Sequence, residues 1–387
     1  MNPLVPTLKP SGTKSSTVDV SVIVPTYCEA DNLSELVPRV FESLSEAQLS
    51  CEIIIVDDNS PDSTREVCKE LEQLYPLRLE VRQHERGLST AVIHGMRLAV
   101  GQILVCMDAD LSHPPEKVPE LVAKMEDADF VIGSRYVSGG TTDDKWGFLR
   151  WLNSRVATWL AWPLTTASDP MAGFFALRRT KFHSTAQLDP VGYKIGLELI
   201  VKCDCKRLEE VPIHFRDRLH GTSKLTFREQ LNYLIHIKRL LEYRCGDAAF
   251  FLQFIAVGAT GMTIDLCCYA VMMSMLPVTV ARCIAIALAM NCNFALNRAI
   301  TFSYARKAPA MRQWILFCLS CSLGAIVNWS VSIGLYSITE FFGQHVLFAA
   351  VIGIAAGTIT NFCLCRYVVF RKPHAIGPEA GARTISP

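Results

Sequence analysis

Apolar residues follow two unlike patterns along this chain. As far as Gly246 they come in short runs between charged and polar stretches, whereas from Phe250 to Phe370 long stretches carry almost no charge. In the first part, runs at 20–24, 52–56, 79–82, 102–107 and 129–132 read as strands, and the first two lead into helical patterns. Strands alternating with helices predict an α/β fold, a mostly parallel sheet with helices on both faces. Ligands of such sheets bind beyond the carboxyl ends of the strands. Those ends carry Thr26-Tyr-Cys-Glu29, Asp57-Asp58 and Asp108-Ala-Asp110, which are expected to converge on one cleft.

The second part holds four apolar segments, 250–275, 278–296, 314–338 and 346–365. Each approaches or exceeds the roughly 20 residues that span a bilayer as a helix, so an all-α transmembrane domain of four helices is expected. Lys238, Arg239 and Arg244 precede the first segment, Arg298, Arg306, Lys307 and Arg312 fill the middle loop, and Arg366, Arg371 and Lys372 follow the last. By the positive-inside rule both termini, and the domain before the first span, are cytoplasmic. NFALNRAITF at 293–302 aligns with NFCLCRYVVF at 361–370, which makes the domain two helical hairpins of one design. Asp265 lies inside the first segment and is expected to face the bundle.

The resulting division is a tail at 1–18, a soluble domain at 19–225, an interfacial helical linker at 226–246, the membrane domain at 247–372 and a second tail at 373–387. Composition adds little to it. The 387 residues are 50% hydrophobic and 19% charged with a net charge of +1, and no basic stripe suggests a nucleic-acid surface. The fifteen cysteines are scattered, so they read as reduced and mostly buried, and Cys203/Cys205 and Cys363/Cys365 lack the spacing of a zinc site.

The chemistry concentrates in ILVCMDADLSHPP, 103–115. Two carboxylates at the edge of a core need compensation. In an extended segment residues i and i+2 point the same way, so Asp108 and Asp110 offer hard oxygen ligands on one side. That donor set suits Mg²⁺ or Mn²⁺, completed by water and a diphosphate. His113 reads as a turn residue before Pro114 and Pro115. Asp57, Ser60 and Asp62 read as turn and helix-start residues. The segment 145–162, with Trp146, Trp151, Trp159 and Trp162, has the make-up of an interfacial helix, as does 227–243.

Taken in order, VPTYCE (24–29), IVDDNSPD (55–62), MDADLSHPP (107–115), GSRY (133–136), SDPMAGF (168–174), GYKIGLE (192–198), EVPI (210–213) and RLHGTSK (218–224) resemble the GT-A-fold nucleotide-sugar glycosyltransferases, and among them the polyprenol-phosphate mannose synthases. The apolar part resembles the GtrA-like membrane domain. The resemblance implies a GT-A (Rossmann-like) sheet and inverting, metal-dependent transfer of mannose from GDP-mannose to a dolichyl or polyprenyl phosphate. It implies that Pro25, Tyr27, Glu29, Val56 and Asp58 hold base and ribose, and that Asp108, Ala109, Asp110 and Ser112 meet the metal and sugar diphosphate. It places Arg135, Asp169 and Lys194 in the donor pocket, and Asn153, Ser154 and Arg155 beside the acceptor phosphate. Arg218 and Lys224 join Arg155 in offsetting phosphate charge. Nothing in the residues reads mannose, so a glucosyl or other transferase using a UDP-sugar, or a non-catalytic lipid-sugar transporter, stays open.

Overall fold

The computed structural model describes residues 18–142, 148–185, 187–215, 227–338 and 340–371. The chain divides between Arg244 and Cys245 into two compact units. Nine strands are described: β1 (Val20–Thr26), β2 (Cys51–Asp57), β3 (Leu77–Val81), β4 (Ile103–Cys106), β5 (Phe130–Ser134), β6 (Thr141–Thr142), β7 (Phe175–Arg178), β8 (Leu208–Pro212) and β9 (His214–Phe215). Seven of them form one sheet in the order β3-β2-β1-β4-β7-β5-β8, and β6 pairs with β9 apart from it. All pairings in the large sheet are parallel except those of β7, which runs antiparallel to both β4 and β5.

Strand alternation builds a core on each face. Val20, Val22, Val24, Ile53 and Ile55 point to one side, where Leu33, Leu36, Val37 and Val40 of the helix Ala30–Glu46 cover them. Ile23, Ile54 and Val56 point to the other, onto Ala91, Val92 and Met96 of the helix Leu88–Leu98. Burial on both sides explains why these strands are nearly continuous apolar runs. β1 connects outward to β2, and β4 lies on its other side, so the order reverses between β1 and β4. That reversal opens the crevice in which ligands of open α/β sheets bind.

Two further helices, Phe148–Ala161 and Phe227–Cys245, belong to this unit. Ala161, Leu164, Met171, Leu197, Ile237 and Leu240 form a smaller core between them and the helix Ile195–Lys202. The segment expected as a linker therefore packs along most of its length on the soluble half. Both helices keep apolar residues outside: Leu152, Val156 and Trp159 on one, Leu231, Leu234 and Ile235 on the other.

The second unit consists of helices Asp247–Met272, Val278–Thr301, Ala310–Ile338 and Val346–Val369, each apolar enough to cross a membrane, with only 17–22% of each apolar window buried within the protein. Ile338 and Leu347 are more than four-fifths exposed. Apolar surface on that scale belongs in lipid, and this is a membrane protein. In each hairpin the returning helix ends in a π turn, Asn297–Thr301 and Cys365–Val369. The phenylalanine after each turn is buried, and the Phe302 and Phe370 rings stack 4.9 Å apart. Close approach is set by small residues: a Cβ on Gly357 would lie 2.6 Å from the Gly324 carbonyl oxygen. Asp265 accepts from Arg282 at 2.8 Å, so the intramembrane acid has a cationic partner.

Candidate active site

The carboxyl ends of β1, β2, β4 and β5 bring most of the expected residues to one edge of the sheet. After β1, Cys28 takes a positive φ of 58° and donates its N–H to Ser60 Oγ at 2.8 Å, which locks the first two loops together. Tyr27 is exposed beneath the Arg86 guanidinium, and Glu29 accepts from Asn32 at 2.6 Å. Val56 and Ala109 point into the core, so only their backbone atoms face the cleft. Pro25 is buried likewise.

The two aspartates at the end of β2 have different work. Asp57 is fully buried and accepts the Ser60 N–H at 3.0 Å and the Ser60 hydroxyl, closing the turn. Asp62 accepts from Thr64 Oγ1 at 2.6 Å at the helix start. Asp58 accepts from Arg82 Nε at 2.7 Å and again from Arg82 Nη2, while its other oxygen takes the Gly87 N–H at 2.7 Å. Asp58 is thus a rigid acceptor at the strand end, held in place by three donors from the next loop.

β4 ends at Cys106, and Asp108 and Asp110 stand beyond it in a turned segment where Leu111 takes φ 59°. Asp110 accepts the Ser112 N–H at 3.1 Å and its hydroxyl at 2.6 Å. Ser112 is buried, so it orients Asp110. His113 is buried too. Its Nδ1 accepts the Asp108 N–H at 3.0 Å, which puts the ring proton on Nε2, and the ring stacks on Phe174. Among the described residues no group of three or more His, Cys, Asp and Glu gathers that could hold a metal by itself. The pair still fits a hard cation that keeps waters and takes phosphate oxygens as further ligands. A glycine lies beside the first of them: a Cβ on Gly173 would sit 3.4 Å from both Asp108 carboxylate oxygens.

Arg135, after β5, grips Asp169 with Nε to Oδ2 and Nη2 to Oδ1, both at 2.7 Å. Asp169 is fully buried, and its own N–H and that of Ser168 are received by Glu210 of β8 at 3.1 and 2.9 Å. Burial disfavours the Arg135 charge, but Asp169 overrides it and the guanidinium stays charged. Lys194 is the opposite case. Desolvation first, then the Arg135 charge, push its ammonium down to about 8 against the pull of Asp169 and Asp108. Its Nζ donates to the Met171 carbonyl oxygen at 3.3 Å.

Beside Tyr136 opens a pocket of about 460 Å³ lined by Tyr136, Arg155, Thr158, Trp159, Trp162 and Ser168, among others. Of the three residues expected at the acceptor phosphate, Arg155 lines it. Ser154 Oγ shares a 2.7 Å hydrogen bond with Tyr136, and Asn153 accepts from Gln230 at 3.3 Å. Arg218, Lys224 and Trp146 lie outside the described residues, as does the side chain of Trp151. Sequence reasoning passed over Gly173, His113 as a partner of Asp108, and Glu210. Gly173 lay within the quoted SDPMAGF motif, but its approach to Asp108 is a tertiary contact across 65 residues of chain.

Residues 21–184 match the profile of glycosyl transferase family 2, and residues 253–370 match the GtrA/DPMS transmembrane domain. The protein is therefore a glycosyltransferase joined to a membrane domain. It is 37% identical to the dolichol-phosphate mannosyltransferase of Pyrococcus furiosus over 357 residues, 91% of this chain and 99% of that relative. The Saccharomyces cerevisiae and Mycosarcoma maydis enzymes of the same name are 42% and 44% identical over 59% and 60% of this chain, and 89% and 82% of theirs. The chain belongs to the dolichol-phosphate mannosyltransferase family. Among solved structures, mannosyl-3-phosphoglycerate synthase from Rubrobacter xylanophilus aligns with a TM-score of 0.46 at 20% identity, over 58% of this chain and 75% of that one.

Proposed function

We propose that the enzyme transfers mannose from GDP-mannose to a dolichyl or polyprenyl phosphate with inversion, releasing GDP, and that the soluble unit and both termini face the cytosol. The observation that carries this reading is the match along nearly the full length of a relative named dolichol-phosphate mannosyltransferase, membrane domain included. The acceptor phosphate is already anionic at neutral pH, so its oxygen attacks the anomeric carbon without a general base. The bond from that carbon to the diphosphate oxygen breaks as the new one forms, and the electron pair leaves with GDP. No proton changes hands.

The burden on the protein is electrostatic, because two anions must meet. Tyr27, Glu29 and Asp58, with the backbone at Pro25 and Val56, would hold the nucleoside. Lys194, and Arg135 oriented by Asp169, would face the sugar diphosphate, while Arg155 would hold the acceptor phosphate in the pocket beside Trp159. Arg218 and Lys224 are proposed to share that task. Mg²⁺ or Mn²⁺ at Asp108 and Asp110 would supply Lewis-acid compensation for the departing diphosphate.

The test is a panel of radiolabelled GDP- and UDP-sugars offered to the purified protein with a polyprenyl phosphate in detergent. Label from GDP-mannose in lipid is the expected result. Label from UDP-glucose alone would replace the donor, and no labelling from any sugar would favour a non-catalytic transporter.

A further inference from the structure

One aromatic ring in the cleft is shared by two arginines that the proposed function gives to different substrates. Tyr136 follows Arg135 beyond β5 and is half-buried, its N–H donating to Ser134 Oγ at 3.3 Å. The Arg135 guanidinium carbon lies 5.3 Å from the centre of its ring, and that of Arg155, reaching in from the helix Phe148–Ala161, lies 5.8 Å from the same centre. Both distances are within the range at which a cation is drawn to an aromatic ring. The Tyr136 hydroxyl shares its 2.7 Å hydrogen bond with Ser154, the residue before Arg155, so the ring is tied to the same turn of helix. Tyr136 and Arg155 line one pocket, with Thr158 and Trp159.

The two arginines depend on that ring unequally. Arg135 has Asp169, through two hydrogen bonds of 2.7 Å, and the Phe215 ring at 5.2 Å. Arg155 is exposed, and among the described residues it makes no hydrogen bond or ion pair, so the Tyr136 ring is its anchor. Without that anchor an exposed arginine side chain samples many rotamers. Two guanidinium groups brought to one ring also repel each other, a cost for which packing alone gives no reason. Anions bound at both groups turn the repulsion into attraction.

We propose that Tyr136 is a positioning residue for sugar transfer: its ring holds Arg155 at a set distance from Arg135, and so fixes the acceptor phosphate relative to the donor diphosphate. This rests on the donor role of Arg135 and the acceptor role of Arg155 under the proposed function. The attacking oxygen must reach the anomeric carbon while the departing diphosphate stays bound, so the spacing of the two anions is the geometry that transfer needs. Asp169 and Phe215 keep Arg135 in place without the tyrosine, so the loss on removing the ring falls on the acceptor.

The test measures GDP-mannose binding and steady-state kinetics with a polyprenyl phosphate in detergent. It compares the full chain with Tyr136→Leu, Tyr136→Phe, Arg155→Lys and the double variant Tyr136→Leu with Arg155→Lys. Tyr136→Leu should melt near the parent, raise the acceptor KM roughly tenfold and leave the Kd for GDP-mannose within about twofold. Tyr136→Phe keeps the ring and should stay within about threefold of the parental acceptor KM. Arg155→Lys keeps the charge but not the planar group, and should raise the acceptor KM about threefold in the parent and no further in Tyr136→Leu. A parental acceptor KM in Tyr136→Leu, a donor Kd that weakens as much as the acceptor KM rises, or additive losses in the double variant overturn the proposal. If Tyr136→Leu does not fold, a roughly tenfold rise in Tyr136→Phe overturns it by assigning the effect to the hydroxyl. A parent chain that binds GDP-mannose but transfers no sugar to the lipid removes the acceptor reading, and this proposal with it.

Discussion

Arg135 and Asp169 meet edge to edge, through two hydrogen bonds of equal length, with the carboxylate wholly out of solvent. The pair aims Arg135 at the cleft, but it also binds the arginine's two most directional donors. Removing the carboxylate leaves a buried cation uncompensated, at a cost of about 3–5 kcal/mol. Asp169→Ala should therefore melt well below the parent. Asp169→Asn, which keeps the shape and one acceptor, should fold but bind GDP-mannose more weakly. Thermal melting and donor titration of the two variants separate these effects, and equal melting temperatures would rule out the buried-pair account.

Gly173 tests the cation site without touching a ligand. Alanine there places a methyl 3.4 Å from both Asp108 oxygens and from His113 Cε1, ordinary contact distances that the fold tolerates. The same methyl fills the space in which a cation would approach Asp108. Gly173→Ala should keep its melting temperature but need roughly tenfold more Mn²⁺ for half-saturation. Asp110→Asn should lose Mn²⁺ binding outright. Mn²⁺ titration by electron paramagnetic resonance reads binding independently of turnover, and chelator treatment of the parent should stop sugar transfer.

How far these features could be read from the chain depends on whether they are local. The strands β1 and β2 announce themselves because both faces are buried and the runs are continuously apolar. The four membrane helices do so by length, although Ala310–Ile338 starts four residues before the expected 314 and the π turns extend the returning helices to Thr301 and Val369. β7 escaped because Phe175–Arg178 is four residues without alternation, and its place between β4 and β5 is a tertiary fact. β8 carries Glu209 and Glu210 in a five-residue strand, which hides its apolar pattern. Within the site, the spacing of Asp108 and Asp110 singled them out, although they stand in a turned segment beyond β4 and not in the extended one that the spacing argument assumed. The Arg135–Asp169 pair spans 34 residues, and no sequence period relates its members.

The membrane unit offers a packing test. Gly353 and Gly357 lie four residues apart on the helix Val346–Val369, against Asn328 and Gly324 of Ala310–Ile338. A side chain at 357 meets backbone, which cannot rotate away. Gly357→Leu should lower the melting temperature of the full chain in detergent, on the order of 1–3 kcal/mol for an overpacked contact. Donor binding belongs to the other unit and should be retained at temperatures where the protein is folded. A variant as stable as the parent would show that these helices pack elsewhere.

Lys194 sets the last expectation, because its two consequences have opposite signs. With a folded pKa of about 8 against an ordinary 10.5, the unfolded chain holds a proton between those values that the folded chain lacks. Stability contributed by this group is therefore lowest below pH 8 and rises as pH climbs toward 10.5. Donor binding runs the other way. An anionic diphosphate needs the ammonium, so affinity for GDP-mannose should fall as pH rises through about 8. Lys194→Arg keeps its charge throughout that range and should flatten the profile, even if its bulk weakens binding at every pH. Measuring Kd for GDP-mannose from pH 6.5 upward in both proteins decides it: parallel pH profiles would assign the titration to another group and take the diphosphate away from Lys194.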